Sequence, residues 1–229
     1  MIITIDGPAG TGKSTVAREV AERLGFDFLD TGAMYRAIGL EVTRRKADLK
    51  DARELGFIAR HCRIAFDWSK RPPELLLNDE PVAHLLRGSE VTSAASHVAA
   101  VPAVREQLVS EQQRIGAEHG NLVTEGRDQG TVVFPDAALK VYLDATPAER
   151  ARRRVAQLRA RGEMANCEDV LREIQERDKR DSTRSVGPLT IPAGAQVIDT
   201  TTLTEDQVVD RIVELARSRQ RTAAGGVRV

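Results

Sequence analysis

Ile2-Ile3-Thr4-Ile5-Asp6-Gly7-Pro8-Ala9-Gly10-Thr11-Gly12-Lys13-Ser14 decides how this chain reads. A short apolar run, enough for one buried strand, ends in a glycine-rich turn. Val16, Ala17, Val20, Ala21 and Leu24 then recur on one helical face until Gly25 stops it. A strand, then Gly, four residues, Gly-Lys-Ser, then a helix is the P-loop pattern. Its glycines let backbone N–H groups wrap phosphates, and the helix N-terminus adds a positive dipole end. The expected ATP-binding residues are therefore Gly7, Pro8, Ala9, Gly10, Thr11, Gly12, Lys13, Ser14 and Thr15. Lys13 is a point cation for the outer phosphates, expected exposed at the loop mouth, and the Ser14 hydroxyl is the expected Mg²⁺ ligand.

Outward from the loop, short apolar runs alternate with amphipathic helices, the mark of an α/β fold with a parallel sheet covered on its faces. After Ile2–Ile5, the strands expected are Phe26–Leu29, Asn121–Thr124, Leu139–Leu143 and Ala195–Ile198, with a helix over Gly32–Arg45. Thr146-Pro147-Ala148-Glu149, Asn166 and Thr204-Glu205-Asp206-Gln207 announce later helix starts by their capping residues. Between about Arg63 and Val91 the rhythm breaks. Ile64-Ala65-Phe66 and Glu74–Val82 read as short strands joined by polar turns, and Pro72-Pro73 forbids a helix there. This is a small β-rich insertion. The tail from Arg221 has no periodicity and is expected to fray.

Composition narrows the class. The chain has 229 residues, 41% of them hydrophobic and 30% charged, which fits a globular fold with one large domain or one domain carrying an insertion. No apolar stretch is long enough for a membrane-spanning helix. The start lacks the basic and long apolar segments of a signal peptide, so a cytoplasmic protein without membrane partners is expected. Lys+Arg and Asp+Glu balance at 34 each, and aromatics are only 3%, which disfavours nucleic-acid binding. Cys62 and Cys167 form no ligand cluster, no apolar seam suggests more than a monomer, and His61, His84, His97 and His119 fit no catalytic or metal-ligand spacing.

Arginine carries the next signal. Arg36, Arg105, Arg127, Arg177 and Arg184 stand beside small or polar residues near expected element ends. Planar guanidinium groups grip phosphate bidentately and can follow a moving phosphoryl group, which suits an enzyme that must hold two phosphate-bearing substrates together. Asp6, Glu125, Asp128 and Asp144 all close or follow expected strands, and any of them could assist the metal.

Asp30-Thr31-Gly32-Ala33-Met34-Tyr35-Arg36, Glu125–Pro135 and Glu176-Arg177-Asp178-Lys179-Arg180-Asp181 resemble the signature blocks of the bacterial cytidylate kinases. Leu77–Val82 and Ser93–Ala99 resemble that family's insertion and the segment after it, and the resemblance spans roughly residues 1–219. It implies a P-loop kinase with a five-stranded parallel sheet flanked by helices, an NMP-binding insertion at about 63–100 and a helical lid at about 150–184, and it leaves 220–229 outside as the expected disordered tail. It also implies transfer of the γ-phosphoryl group of ATP to CMP or dCMP, with Mg²⁺.

By that resemblance, Lys13, Arg127 and Arg177 are catalytic. Thr31, Arg105, Asp128 and Arg184 read cytosine, Ser96, Arg177 and Asp181 hold the ribose or the nearby phosphate, and Arg36 and Arg127 hold the CMP phosphate. Arg153 and Arg154 close over ATP from the lid. The chemistry of the base is compatible with this set. Cytosine O2 and N3 accept from arginine and its amine donates to Asp128 or Thr31, whereas uracil would set a carbonyl against an ionised acceptor. Thr31 could instead simply cap the helix that follows, and Asp128 could be a turn residue before Gly130. Another small-substrate P-loop kinase and a nucleotide-dependent switch remain as rival readings.

Overall fold

The central strand is β1 (Ile2–Asp6), whose last four residues are buried. It leads through the phosphate loop into α1 (Lys13–Leu24), which ends at Gly25 in the left-handed conformation expected of a helix-stopping glycine. The computed structural model describes residues 1–225. In chain order there follow β2 (Asp27–Asp30), α2 (Thr31–Arg45), α3 (Ala52–His61), β3 (Ile64–Asp67), β4 (Glu74–Leu77), β5 (Glu80–Pro81), α4 (Ser89–Val98) and α5 (Pro102–His119). Then come β6 (Leu122–Gly126), a single π-helical turn (Gln129–Val133), β7 (Leu139–Asp144), α6 (Pro147–Arg159), α7 (Cys167–Thr183), β8 (Gln196–Asp199) and α8 (Glu205–Gly225).

The larger sheet has five strands in the order β2-β6-β1-β7-β8. β1 pairs in parallel with β6, Ile3 opposite Val123, and with β7, Ile5 opposite Val141. β8 pairs in parallel with β7. Such strands are buried on both faces, so Ile3, Ile5, Leu122, Val123, Val141 and Leu143 are fully or nearly fully buried and read as apolar runs rather than alternating ones. The parallel arrangement also aligns the carboxyl ends of β1, β6 and β7, where ligands of open α/β sheets bind.

The later helices start where their caps are. Thr146 accepts from the Glu149 N–H, Asn166 from Glu168, and Thr204 and Gln207 bond each other reciprocally. α6 and α7 pack through Ala151, Val155, Val170 and Ile174. The β-rich insertion is a second, antiparallel sheet of three strands, β3-β4-β5, with Phe66 opposite Leu75.

Two expectations change. The chain divides into two compact units, Met1–Asp27 with Gly120–Val229, and Phe28–His119, so the unit holding the small sheet is larger than residues 63–100. α2, α3, α4 and α5 belong to it, and α4 packs so closely on α2 that a Cβ at Gly39 would lie 2.8 Å from the Ala95 nitrogen. α8 also runs on to Gly225, because helix propagation past the last buried turn costs little once a long helix exists. Only positions 226–229 of the expected tail lie outside the described residues.

Candidate active site

The phosphate loop is shaped by backbone. Gly7 takes φ +148, and a Cβ there would lie 2.1 Å from the Leu143 carbonyl oxygen, so no side chain fits at that crossing. Gly12, at φ 86, serves as the N-terminal cap of α1 without a side-chain hydrogen bond, leaving the helix N–H groups open to a ligand. Thr11 Oγ1 donates to the Pro8 carbonyl at 3.2 Å, closing the loop on itself.

Lys13 corrects the expectation of an exposed cation. It is only 5% exposed, and its Nζ donates to the Pro8 carbonyl at 2.7 Å. Burial, reinforced by the charges of Arg127 and Arg177, pushes the ammonium down to about 7, against an opposing pull from Glu125 and Asp6. Ser14 Oγ donates to Glu125 Oε1 at 2.7 Å, although 111 residues separate them in sequence, because β1 and β6 are neighbours.

That contact sorts the four candidate carboxylates. Asp6 accepts from the N–H groups of Gln129 (2.8 Å) and Gly130 (2.7 Å), and burial pushes its carboxyl up to about 6. Its oxygens hold the π-helical turn that follows β6. Asp144 Oδ1 accepts from the Ala145 N–H. Asp128 Oδ1 lies 3.5 Å from Arg184 Nη2. Glu125 alone of the four is bonded to the phosphate-loop serine.

Beside the loop lies a cluster of arginine and carboxylate from two distant segments. Arg127 Nε donates to Asp181 Oδ2 at 2.9 Å, and Arg177 Nε is 3.9 Å from the same oxygen. Burial opposes charge on Asp181, yet Arg127, Arg177 and Arg184 together hold its carboxyl below the usual range. Burial likewise opposes charge on Arg127, and Asp181 and Glu125 keep it protonated. Asp128 and Arg184 are both almost wholly buried, and Arg184 Nε also donates to the Gly187 carbonyl at 2.5 Å. The first unit therefore brings together Lys13, Ser14, Arg127, Asp128, Arg177, Asp181 and Arg184.

Arg153 is turned onto its own surroundings. It donates to Glu149 Oε1 and to Thr200 through both the hydroxyl and the carbonyl, fastening α6 to the end of β8. Arg154 is half-buried on the same helix, and Thr15 is exposed on α1.

The other candidates belong to the second unit. Thr31 is buried as the first residue of α2, but the cap is Asp30, whose Oδ1 accepts from the Ala33 N–H at 2.7 Å. The capping alternative for Thr31 is thereby removed. Arg36 ion-pairs with the same Asp30 at 3.0 Å. Arg105, 1% exposed, lies over the Tyr35 ring with 5.7 Å to its centroid, and Ser96 is buried on α4. His61 and His97 bond carbonyls of their own helices, and His119 stacks on Trp68 at 3.8 Å, as structural histidines do.

The sequence names Glu125 only as one of four equal carboxylate candidates, and of these it is the one bonded to Ser14. Arg150 read only as part of an arginine run, and it is one of the most buried charged residues, bonded to the phosphate loop itself.

A parallel five-stranded sheet with a glycine loop, a buried lysine and an arginine cluster at its carboxyl end defines a P-loop kinase. A family profile described as cytidylate kinase matches residues 3–218, and the chain belongs to that family. It is 48% identical to the cytidylate kinase of Caldanaerobacter subterraneus subsp. tengcongensis over 215 residues, covering 94% of each chain. It is 44% identical to those of Mycobacterium avium, covering 97% of this chain and 98% of that one, and of Escherichia coli O1:K1, covering 95% and 96%. Among solved structures, an uncharacterized protein from Eubacterium ventriosum shares the fold with a TM-score of 0.55 at 14% identity, over 95% of this chain and 98% of that one.

Proposed function

We propose that this protein transfers the γ-phosphoryl group of ATP to CMP or dCMP, giving ADP with CDP or dCDP. The observation that carries the reading is the crowding of Lys13, Arg127 and Arg177, close enough for the two arginines to disfavour charge on the lysine. A buried lysine beside two partly buried arginines that repel it makes sense around a ligand with several negative charges. Membership of the cytidylate kinase family supports CMP as the acceptor.

The phosphate loop, Gly7 to Thr15, cradles the donor, and Lys13 stabilises charge on the transferring group. The nucleophile is a CMP phosphate oxygen, already ionised at neutral pH, so no dedicated base is required. It forms a bond to the γ-phosphorus as the bond to ADP breaks. Arg127 and Arg177 place the acceptor in line and neutralise the charge that builds up. Asp181 orients both guanidinium groups through its shared oxygen. Asp128 accepts from the cytosine amine while Arg184 fixes its carboxylate. The resemblance carries Thr31, Ser96 and Arg105 onto the nucleoside, Arg36 onto the CMP phosphate, and Arg153 with Arg154 onto ATP, with α6 and α7 as the lid.

Ser14 and Glu125 offer a hydroxyl and a carboxylate side by side. These hard oxygens fit Mg²⁺, which commonly takes few protein ligands and completes its shell with phosphate oxygens and water. The ion would supply charge neutralisation between the outer phosphates of ATP. Balanced net charge and low aromatic content support small nucleotides rather than nucleic acid as partners, for a cytoplasmic monomer. Among the described residues, no helix is long and apolar enough to cross a membrane.

The test is a coupled assay for ADP release with CMP, dCMP, UMP, AMP and GMP offered in turn. CMP and dCMP are expected to accelerate release far beyond the others. Acceleration by AMP or GMP alone, or by none of the five, would overturn the reading.

A further inference from the structure

Arg150 opens the second turn of α6, at the head of the run that continues through Arg152, Arg153 and Arg154. Arg152 stands in solvent. Arg150 is 4% exposed, and its guanidinium is shared among three separate segments. Nε donates to the Ala145 carbonyl at 3.0 Å, at the end of β7. Nη1 donates to the Ala9 carbonyl at 3.0 Å, at the crest of the phosphate loop. The same Nη1 lies 2.6 Å from Asp178 Oδ2 on α7.

Gly10 supplies an independent sign of the same fit. It takes φ +83, and a Cβ there would lie 3.1 Å from the Arg150 Cβ and 3.3 Å from the Arg150 carbonyl oxygen. The loop crest therefore rests directly on this residue. Asp178 neighbours Arg177 in sequence, and its charge also supports the protonated Arg127. Its Oδ1 is buried with no hydrogen-bond donor among the described residues, so Arg150 is the partner that anchors the carboxylate.

We propose that Arg150 and Asp178 form a latch that locks the crest of the phosphate loop to helix α7, with Arg150 as a positioning residue for phosphoryl transfer. The inference rests on the kinase reading for what α7 does. A trans peptide points its C=O and the next N–H in opposite directions, so holding the Ala9 carbonyl also sets the direction of the Gly10 N–H. α7 carries Arg177 and Asp181, and it cannot leave the loop without parting an ion pair whose arginine is buried and whose carboxylate is partly buried, which costs more than parting an exposed one. The latch thus makes the orientation of the donor cradle and the station of the acceptor arginines one event.

The test compares wild type with Arg150→Lys, which keeps the charge but not the fork, with Asp178→Asn, which keeps the shape but not the charge, and with the double variant. Arg152→Lys on the exposed face serves as the control. Each single variant is expected to lower kcat at least about tenfold, with KM for ATP and CMP changed less than about threefold, and the double variant is expected to be no worse than the worse single one. Amide hydrogen exchange across α7, read without any nucleotide, is expected to quicken in Asp178→Asn and not in Arg152→Lys. Losses that multiply in the double variant, or α7 exchange unchanged in Asp178→Asn, would overturn the latch. If Arg150→Lys does not fold, Asp178→Asn decides alone by kcat and exchange. Because the exchange readout needs no substrate, failure of wild type to phosphorylate CMP would sink the functional reading without deciding the latch.

Discussion

The phosphate loop and the arginine–carboxylate cluster are built in opposite ways. The loop takes its shape from backbone: the Leu143 carbonyl leaves room only for glycine at position 7, and Thr11 is tied back to Pro8. The cluster takes its shape from side chains 54 residues apart, Arg127 after β6 and Asp181 on α7, joined at 2.9 Å. A backbone cradle suits the part of a substrate that never varies, the phosphates. A side-chain cluster suits what must be told apart, because each guanidinium or carboxylate can be changed without rebuilding the chain. The loop should therefore fail all at once when altered, and the cluster should fail by degrees.

The largest effect is expected at Lys13, the cation buried within the backbone cradle. Lys13→Met should lower kcat by about 10²–10³ or more, measured by ADP release with CMP. Residual activity near wild type would place the transferring phosphate elsewhere. Glu125→Gln should come next, with the half-saturating Mg²⁺ concentration raised about tenfold, since a neutral amide keeps the contact with Ser14 but loses the charge. An unchanged Mg²⁺ titration would return the choice to Asp128 or Asp144.

A similar but more selective change is expected at Asp128. Asp128→Asn adds a donor that can satisfy the uracil carbonyl, so the ratio of kcat/KM for CMP over UMP should narrow by about tenfold. An unchanged ratio would leave base reading to Arg184 and Arg105.

The smallest expected effect concerns stability rather than rate. Lys13 is pushed below its ordinary 10.5 in the folded protein, so between about 7 and 10.5 the unfolded chain binds more protons than the folded one. Stability of the nucleotide-free protein contributed by this group should rise with pH across that window. Lys13→Met should accordingly melt higher than wild type near pH 7, with the advantage shrinking as the pH approaches 10.5. A constant difference in Tm across the window would mean that Lys13 carries no burial penalty.

The same contrast explains what the sequence could tell. Much of what is encoded locally is legible: the glycine pattern, the apolar strands of the parallel sheet, the capping residues at Thr146, Asn166 and Thr204, and the paired strands around Pro72-Pro73; the Asp51 cap of α3 is a local signal left unread. Strand ends shifted by a residue or two, as at β2, where Asp27–Asp30 replaces Phe26–Leu29. Contacts made across long loops left no such mark. Nothing in the spacing of Ser14 and Glu125 reveals that parallel pairing of β1 and β6 brings them to 2.7 Å. Arg150 is indistinguishable in sequence from Arg152, because about half a turn of helix decides which guanidinium enters the protein and which faces water. Lys13 looked exposed for a related reason: a lysine in a polar loop gives no hint that the loop's own carbonyl will fold it inward. Family resemblance assigns roles to the arginines, which their positions in the sequence only single out.

The division between donor cradle and acceptor cluster is tested most directly at Arg127. Calorimetric binding of ATP and steady-state turnover of CMP should be measured together on Arg127→Ala. Loss of the guanidinium is expected to lower kcat by at least about 10²-fold while the Kd for ATP stays within about threefold of wild type. A loss of ATP affinity as large as the loss of turnover would place Arg127 on the donor and contradict the division.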